Sequence, residues 1–126
     1  MNSIYDLISL KGRTALVTGA TGVIGEQIVI TIAELGGDVI LVDKHESNYD
    51  SIFKLIKNIN PNIEAKFFNC DLENIKSRSS LLKKIINNNL RVDILVNNAA
   101  FVGDSDLDGW NTTFENVIIL EQIFRQ

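Results

Sequence analysis

The sequence predicts an α/β fold, a doubly wound parallel sheet of four strands in the order 3-2-1-4. Short apolar, β-branched-rich runs alternate with stretches of helical periodicity. These runs are too apolar for burial on one face only, which calls for helices on both sides of a parallel sheet. No repeat or linker interrupts the alternation. Right-handed crossovers then fix the strand order, with the first two helices on one face and the third on the other.

The first strand is TALVT, residues 14–18, ended by glycine. From Val23 to Leu35 the residues Ile24, Ile28, Ile32 and Leu35 recur at helical spacing, and Gly36-Gly37 stop the helix. DVILVD, residues 38–43, is the second strand. Ser47 is placed to cap the next helix, whose apolar face is Ile52, Leu55, Ile56 and Ile59 and which Pro61-Asn62 closes. EAKFFNC, residues 64–70, is less apolar and therefore nearer an edge. Residues 72–89 form the third helix of the alternation, with Leu82, Ile85 and Ile86 on one face and Lys83-Lys84 on the other. VDILVNN, residues 92–98, is the fourth strand; a polar loop follows, then the apolar run FENVIILEQIF begins another helix. The run of asparagines at 87–89 reads as drift at exposed positions.

The 126 residues suffice for one domain with a single core, and 45% apolar with 22% charged residues is ordinary globular composition. A net charge of −4 without a basic block argues against nucleic acid or an anionic membrane as partner. One cysteine, Cys70, excludes an internal disulfide and a cysteine-based zinc site, and a lone His45 builds no metal centre. The first residues lack a basic region followed by an apolar core, and no apolar run approaches the ~18 residues of a membrane span. A cytoplasmic setting is the expectation.

The stretch TGATGVIG, residues 18–25, follows a strand and opens a helix. In that context Gly19 allows a tight turn, Gly22 lets a pyrophosphate reach the backbone, and Gly25 lets helix and strand pack closely. The free N–H groups of residues 22–26 and the positive end of the helix then face the phosphates. A triphosphate-binding P-loop requires Gly-Lys-Ser/Thr, whereas Glu26 follows Gly25. Asp43 ends the second strand 18 residues after Gly25, where a carboxylate accepts from an adenosine ribose and repels a 2′-phosphate. This favours NAD over NADP, although the basic Lys44 beside it tolerates a phosphate.

LKGRTALVTGATGVIG, Asp71-Leu72 and VDILVNNAA, in this order over residues 10–100, resemble the short-chain dehydrogenase/reductase family. The resemblance implies a Rossmann-type NAD(P)-binding domain over residues 1–126, incomplete at its C-terminus. It implies cofactor contacts from Thr18, Gly19, Thr21, Gly22, Val23, Ile24 and Gly25 in the loop, and from Asp71 and Leu72 at the adenine. Asp71 alternatively caps the third helix. Asn97, Asn98, Ala99 and Ala100 are implied to lie under the cofactor ribose and to steady the fourth strand. The family's commonest loop carries its middle glycine where this chain has Val23. The spacing seen here resembles a longer, sugar-nucleotide-modifying branch, while Asn-Asn-Ala-Ala resembles the shorter one. Residues 97–116 further resemble short-chain members linked to surface-carbohydrate or flagellin-glycan biosynthesis.

Hydride transfer in this family relies on a Tyr-x-x-x-Lys pair. The only tyrosines, Tyr5 and Tyr49, are followed four places on by Ser9 and Phe53, so this chain supplies no catalytic pair. Asn116 is a poor stand-in for the family's active-site asparagine, which belongs further along the same helix. His45 reads as a solvated loop residue, Cys70 as a core or adenine-pocket thiol, and Trp110 as a packing anchor for the loop after the fourth strand. The expectation is the dinucleotide-binding amino-terminal half of an NAD(P)-dependent oxidoreductase acting on a carbonyl or alcohol. Its alternatives are a non-catalytic cofactor-binding remnant, a fragment of a nucleotide-sugar epimerase or dehydratase, and an interaction surface without nucleotide. The fourth strand would present an open apolar edge, so the isolated chain is expected to be marginally stable, self-associating or aggregation-prone. Sedimentation should show species above the monomer mass, and a monomer with a sharp two-state unfolding transition contradicts the expectation.

Overall fold

The computed structural model describes residues 3–44 and 49–100. Their elements are α1 (Ile4–Ile8), β1 (Thr14–Thr18), α2 (Val23–Glu34), β2 (Asp38–Asp43), α3 (Tyr49–Ile59), β3 (Ala65–Asn69), α4 (Ile75–Asn87) and β4 (Ile94–Val96). The strands form one parallel sheet in the order β3-β2-β1-β4, as the sequence predicts. Ser47, His45, Trp110, Asn116 and the terminal apolar run lie outside the described residues.

Alternation along the strands divides the core into two layers. Ala15, Val17, Val39 and Leu41 pack with Val29, Ile32, Ala33, Ile52 and Ile56 of α2 and α3. Leu16, Ile40 and Val42 face the other way, onto Leu81 and Ile85 of α4. With side chains buried on both faces, β1 and β2 read as continuous apolar runs, which is why they were legible. The third strand is at the sheet's described edge opposite β4, and its Lys66 and Asn69 are exposed.

The helices correct the expected faces. The buried stripe of α2 is Gly25, Val29, Ile32 and Ala33, while Ile24 is 69% exposed. The helix is phased by Gly25 at its contact with the preceding turn, so Ile24, one residue earlier, is rotated about 100° off the core. In α4 the buried residues are Arg78, Leu81 and Ile85, and Ile86 is exposed. A charged residue on the inner face shifts the stripe from the one that apolar spacing suggests, and the Arg78 guanidinium donates to the Leu72 carbonyl. Asn74 rather than Asp71 caps α4, its side chain accepting from Lys76 and Ser77 N–H.

Helices α2 and α4 end on the same kind of stop. Gly36 N–H donates to Ala33 O and Gly37 N–H to Ile32 O, with Gly36 at φ +85°. After α4, Asn89 at φ +51° takes the glycine's place, with its N–H on Ile86 O and that of Leu90 on Ile85 O. The asparagine run is thus a helix terminator, since Asn tolerates the left-handed conformation. The short α1 was not expected; a Ser3–Asp6 capping box starts it, and it buries none of its residues. No described helix is long and apolar enough to cross a membrane.

At the amino ends of the strands, the Asp93 carboxylate accepts from Thr14 N–H at 2.9 Å and from Arg91 at 2.6 Å. The Thr14 N–H, opposed by desolvation and aided by Arg91, holds the Asp93 carboxyl below its ordinary value of 3.8. Its contribution is therefore complete above that value and is lost as pH falls through the lower folded value. Urea midpoints measured below about pH 4 should fall less steeply with acid in Asp93→Asn than in the parent chain.

Candidate functional site

The carboxyl ends of parallel strands, beside the point where the strand order reverses, are where open α/β sheets bind ligands. Here that crevice lies between β1 and β4, and the turn of residues 19–22 stands above it. Gly19 at φ +62° makes the turn, and Gly22 N–H donates back to its carbonyl at 3.2 Å. A Cβ on Gly22 would meet only Gly19 O at 3.4 Å, an ordinary contact, and the residue is exposed. Gly22 thus leaves an open approach to the backbone.

Gly25 has the opposite role. A Cβ there would lie 2.0 Å from Gly19 O, 2.9 Å from Ala20 Cα and 2.9 Å from Asn98 Nδ2. No side chain at this position fits unless the helix backs away. Close approach in turn presents the start of α2 to the crevice, and no side chain caps it. The first N–H groups of a helix lack intrahelical acceptors, so those of Val23, Ile24 and Gly25 present a partial positive charge to the solvent side. Val23 is 87% exposed, which fits a backbone-led rather than a side-chain-led surface.

The end of β4 is sewn to this turn by two side chains. Thr18, buried at the end of β1, accepts through Oγ1 from Asn98 N–H at 3.2 Å and Ala99 N–H at 3.0 Å. It donates to Val96 O at 3.4 Å. Asn98 returns the bond, its Nδ2 donating to Thr18 O and Gly19 O, both at 3.1 Å. Ala99 packs so closely that a Cβ on Gly19 would come within 3.0 Å of its Cα. Asn97 and Ala100 are exposed at the rim. The family resemblance points to these positions, but the exchange between Thr18 and Asn98 has no sequence signal of its own.

At the ends of β2 and β3, which pair Asp43 with Asn69, polar groups gather. Asp43 Oδ2 accepts from Thr21 N–H at 3.0 Å and from Thr21 Oγ1 at 2.8 Å; Oδ1 accepts from Lys44 N–H at 2.6 Å. Lys44 Nζ reaches Asp71 at 3.6 Å and Glu73 at 3.5 Å, bridging the two strand ends. These partly exposed pairs contribute little energy. The segment 71–72 is held from below. Ser77 Oγ accepts from Asp71 N–H at 3.0 Å, and Arg78 donates to Leu72 O. Asp71 Oδ1 accepts from Glu73 N–H at 3.1 Å, making a local turn instead of the helix cap.

Cys70 is buried in the α4-side core; burial pushes its thiol up, against the Ser77 hydroxyl, so it is not a poised nucleophile. Tyr49 packs on Phe53 and Phe67, and desolvation pushes its hydroxyl up to about 12. That is the wrong direction for a proton-transfer group near neutral pH. Tyr5 is exposed on α1. Leu10, which links α1 to β1, hydrogen-bonds Leu35 at the far end of α2, at the opposite end of the sheet from the glycine turn.

A four-stranded 3-2-1-4 sheet with a glycine turn at its carboxyl end defines a Rossmann-type α/β protein. The short chain dehydrogenase family model matches residues 13–120, and the chain belongs to that family. It is 38% identical over 94 residues to retinol dehydrogenase 13 of Mus musculus, covering 73% of this chain and 28% of that one. An NADP-dependent mannitol dehydrogenase of Aureobasidium melanogenum is 37% identical over 120 residues, covering 91% of this chain and 44% of the relative. A short-chain dehydrogenase/reductase structure from Mycobacterium marinum superposes with a TM-score of 0.81 at 25% identity, covering 97% of this chain and 52% of that one. The chain thus spans half or less of the curated relatives' length.

The two strictest contacts give the clearest expectations. Asn98→Ala removes the side-chain donor from the Thr18 and Gly19 carbonyls, the latter keeping Gly22 N–H, and should cost about 1–3 kcal/mol. Gly25→Ala drives a methyl into a backbone carbonyl and should cost roughly 3 kcal/mol. Denaturant unfolding of each variant measures both, and losses below about 0.5 kcal/mol would contradict the contacts.

Proposed function

We propose that this chain is the dinucleotide-binding part of an NAD(P)-dependent oxidoreductase acting on a carbonyl or alcohol carbon. The observation that carries the reading is the open Gly22 beside the uncapped start of α2. Together they give backbone donors and positive helix-end potential with room for a pyrophosphate. In this reading Gly19, Gly22, Val23, Ile24 and Gly25 hold the pyrophosphate, Thr18 fixes the turn beneath it, and Asp43, with Thr21 beside it, takes the adenosine ribose. Asp71 accepts from the adenine amine, Leu72 lies against the ring, and Asn97 to Ala100 lie beneath the second ribose.

When bound, the nicotinamide gives or takes the hydride. The chain's own share is to orient the cofactor along the strand ends, and catalytic proton transfer is assigned to none of its residues. Asp43 favours NAD, because a carboxylate at that point repels a 2′-phosphate. The loop spacing and residues 97–116 support a sugar or sugar-nucleotide substrate in surface-carbohydrate biosynthesis. Among the described residues β4 pairs only with β1, and we assign its outer edge to pairing with a further chain.

Fluorescence titration with NADH tests the reading. The parent chain should bind, and Gly22→Asp, whose carboxylate would face the pyrophosphate, should weaken binding at least about tenfold while far-ultraviolet circular dichroism is unchanged. Equal binding by parent and variant, or none by a folded parent, would overturn it.

A further inference from the structure

The Asp43 carboxylate offers about four acceptor positions. Among the described residues three are filled: Thr21 N–H and Thr21 Oγ1 share Oδ2, and Lys44 N–H lies on Oδ1. One remains. A ribose with free 2′ and 3′ hydroxyls brings two donors, so one existing donor must leave for both to bind.

The two backbone donors are not free to go. Lys44 N–H belongs to the peptide that follows Asp43 itself. Thr21 N–H sits in a turn pinned on both sides, by Ala20 N–H on Val42 O at 3.3 Å and Gly22 N–H on Gly19 O at 3.2 Å. The Thr21 hydroxyl alone departs by side-chain rotation between staggered positions. We infer that the Thr21 hydroxyl is a stand-in for a ribose hydroxyl, holding Asp43 until a dinucleotide with a free ribose diol displaces it. Thr21 is therefore a selectivity residue that lowers affinity for NAD. A 2′-phosphorylated ribose brings one hydroxyl donor only, which the open position accommodates without displacing anything. Thr21 thereby narrows the preference that Asp43 creates.

This rests on the dinucleotide reading above, and the test separates the two. NADH and NADPH are each titrated by fluorescence into the parent chain, Thr21→Val and Thr21→Ser. Thr21→Val keeps the shape and the backbone donor but removes the competing hydroxyl. It should bind NADH roughly three- to tenfold more tightly, the scale of one hydrogen bond to a charged group less its replacement cost. Its NADPH affinity should stay within about twofold, and Thr21→Ser should match the parent. The thermal midpoint without cofactor should drop in Thr21→Val, because Asp43 loses a partner. If Thr21→Val fails to fold, Thr21→Ala serves in its place. Unchanged or weaker NADH binding, or an equal gain for both cofactors, overturns the role of Thr21 alone. Failure of every folded variant to bind either cofactor overturns that role and the dinucleotide reading together.

Discussion

The contact of Gly25 with the Gly19 carbonyl is the constraint on which the rest of the site depends. A helix that begins this close to the end of β1 can carry no Cβ at that position, and its approach phases the whole of α2. The stripe Gly25, Val29, Ile32 and Ala33 follows at i, i+4, i+7 and i+8, and seats the helix on Ala15, Val17, Val39 and Leu41. The same closeness leaves the first N–H groups of α2 facing outward over the carboxyl edge. Packing and electrostatics therefore have one origin here.

A second layer of bonds makes the turn rigid. Thr18 and Asn98 each hold the backbone of the other's segment, so the end of β4 and the glycine turn move as one piece. Asp43 ties the same turn to β2 through Thr21, and Lys44 extends the connection to Asp71 and Glu73 after β3. All four strand ends are in this way joined through polar groups rather than apolar packing. A rigid backbone cradle loses little freedom when an anion binds, which favours affinity without large contact area.

Much of this was legible in the sequence because it is local. Strands buried on both faces are continuous apolar runs, and the three glycines between TALVT and the following helix mark the turn. Asp43 and Asn98 stand at strand ends that those runs delimit. What the sequence hid is non-local or looks generic. Thr18 meets Asn98 across 80 residues, and a threonine ending a strand is unremarkable by composition. Thr21 meets Asp43 across 22, a pairing that depends on how the turn folds back over β2. The buried face of α4 departs from its apolar spacing because Arg78 points inward, and the asparagines that end that helix carry no apolar or charge pattern.

In the proposed reading, the turn, the start of α2 and the ends of β1, β2, β3 and β4 form a single dinucleotide cradle. Amide nitrogen–proton correlation spectra of the labelled chain, recorded during NADH addition, test it most directly. The amides of Gly22, Val23, Ile24, Gly25, Lys44, Leu72 and Asn98 should shift together with one saturation curve, while those of α1 stay still. Shifts confined to one strand end, or largest in α1, would contradict it.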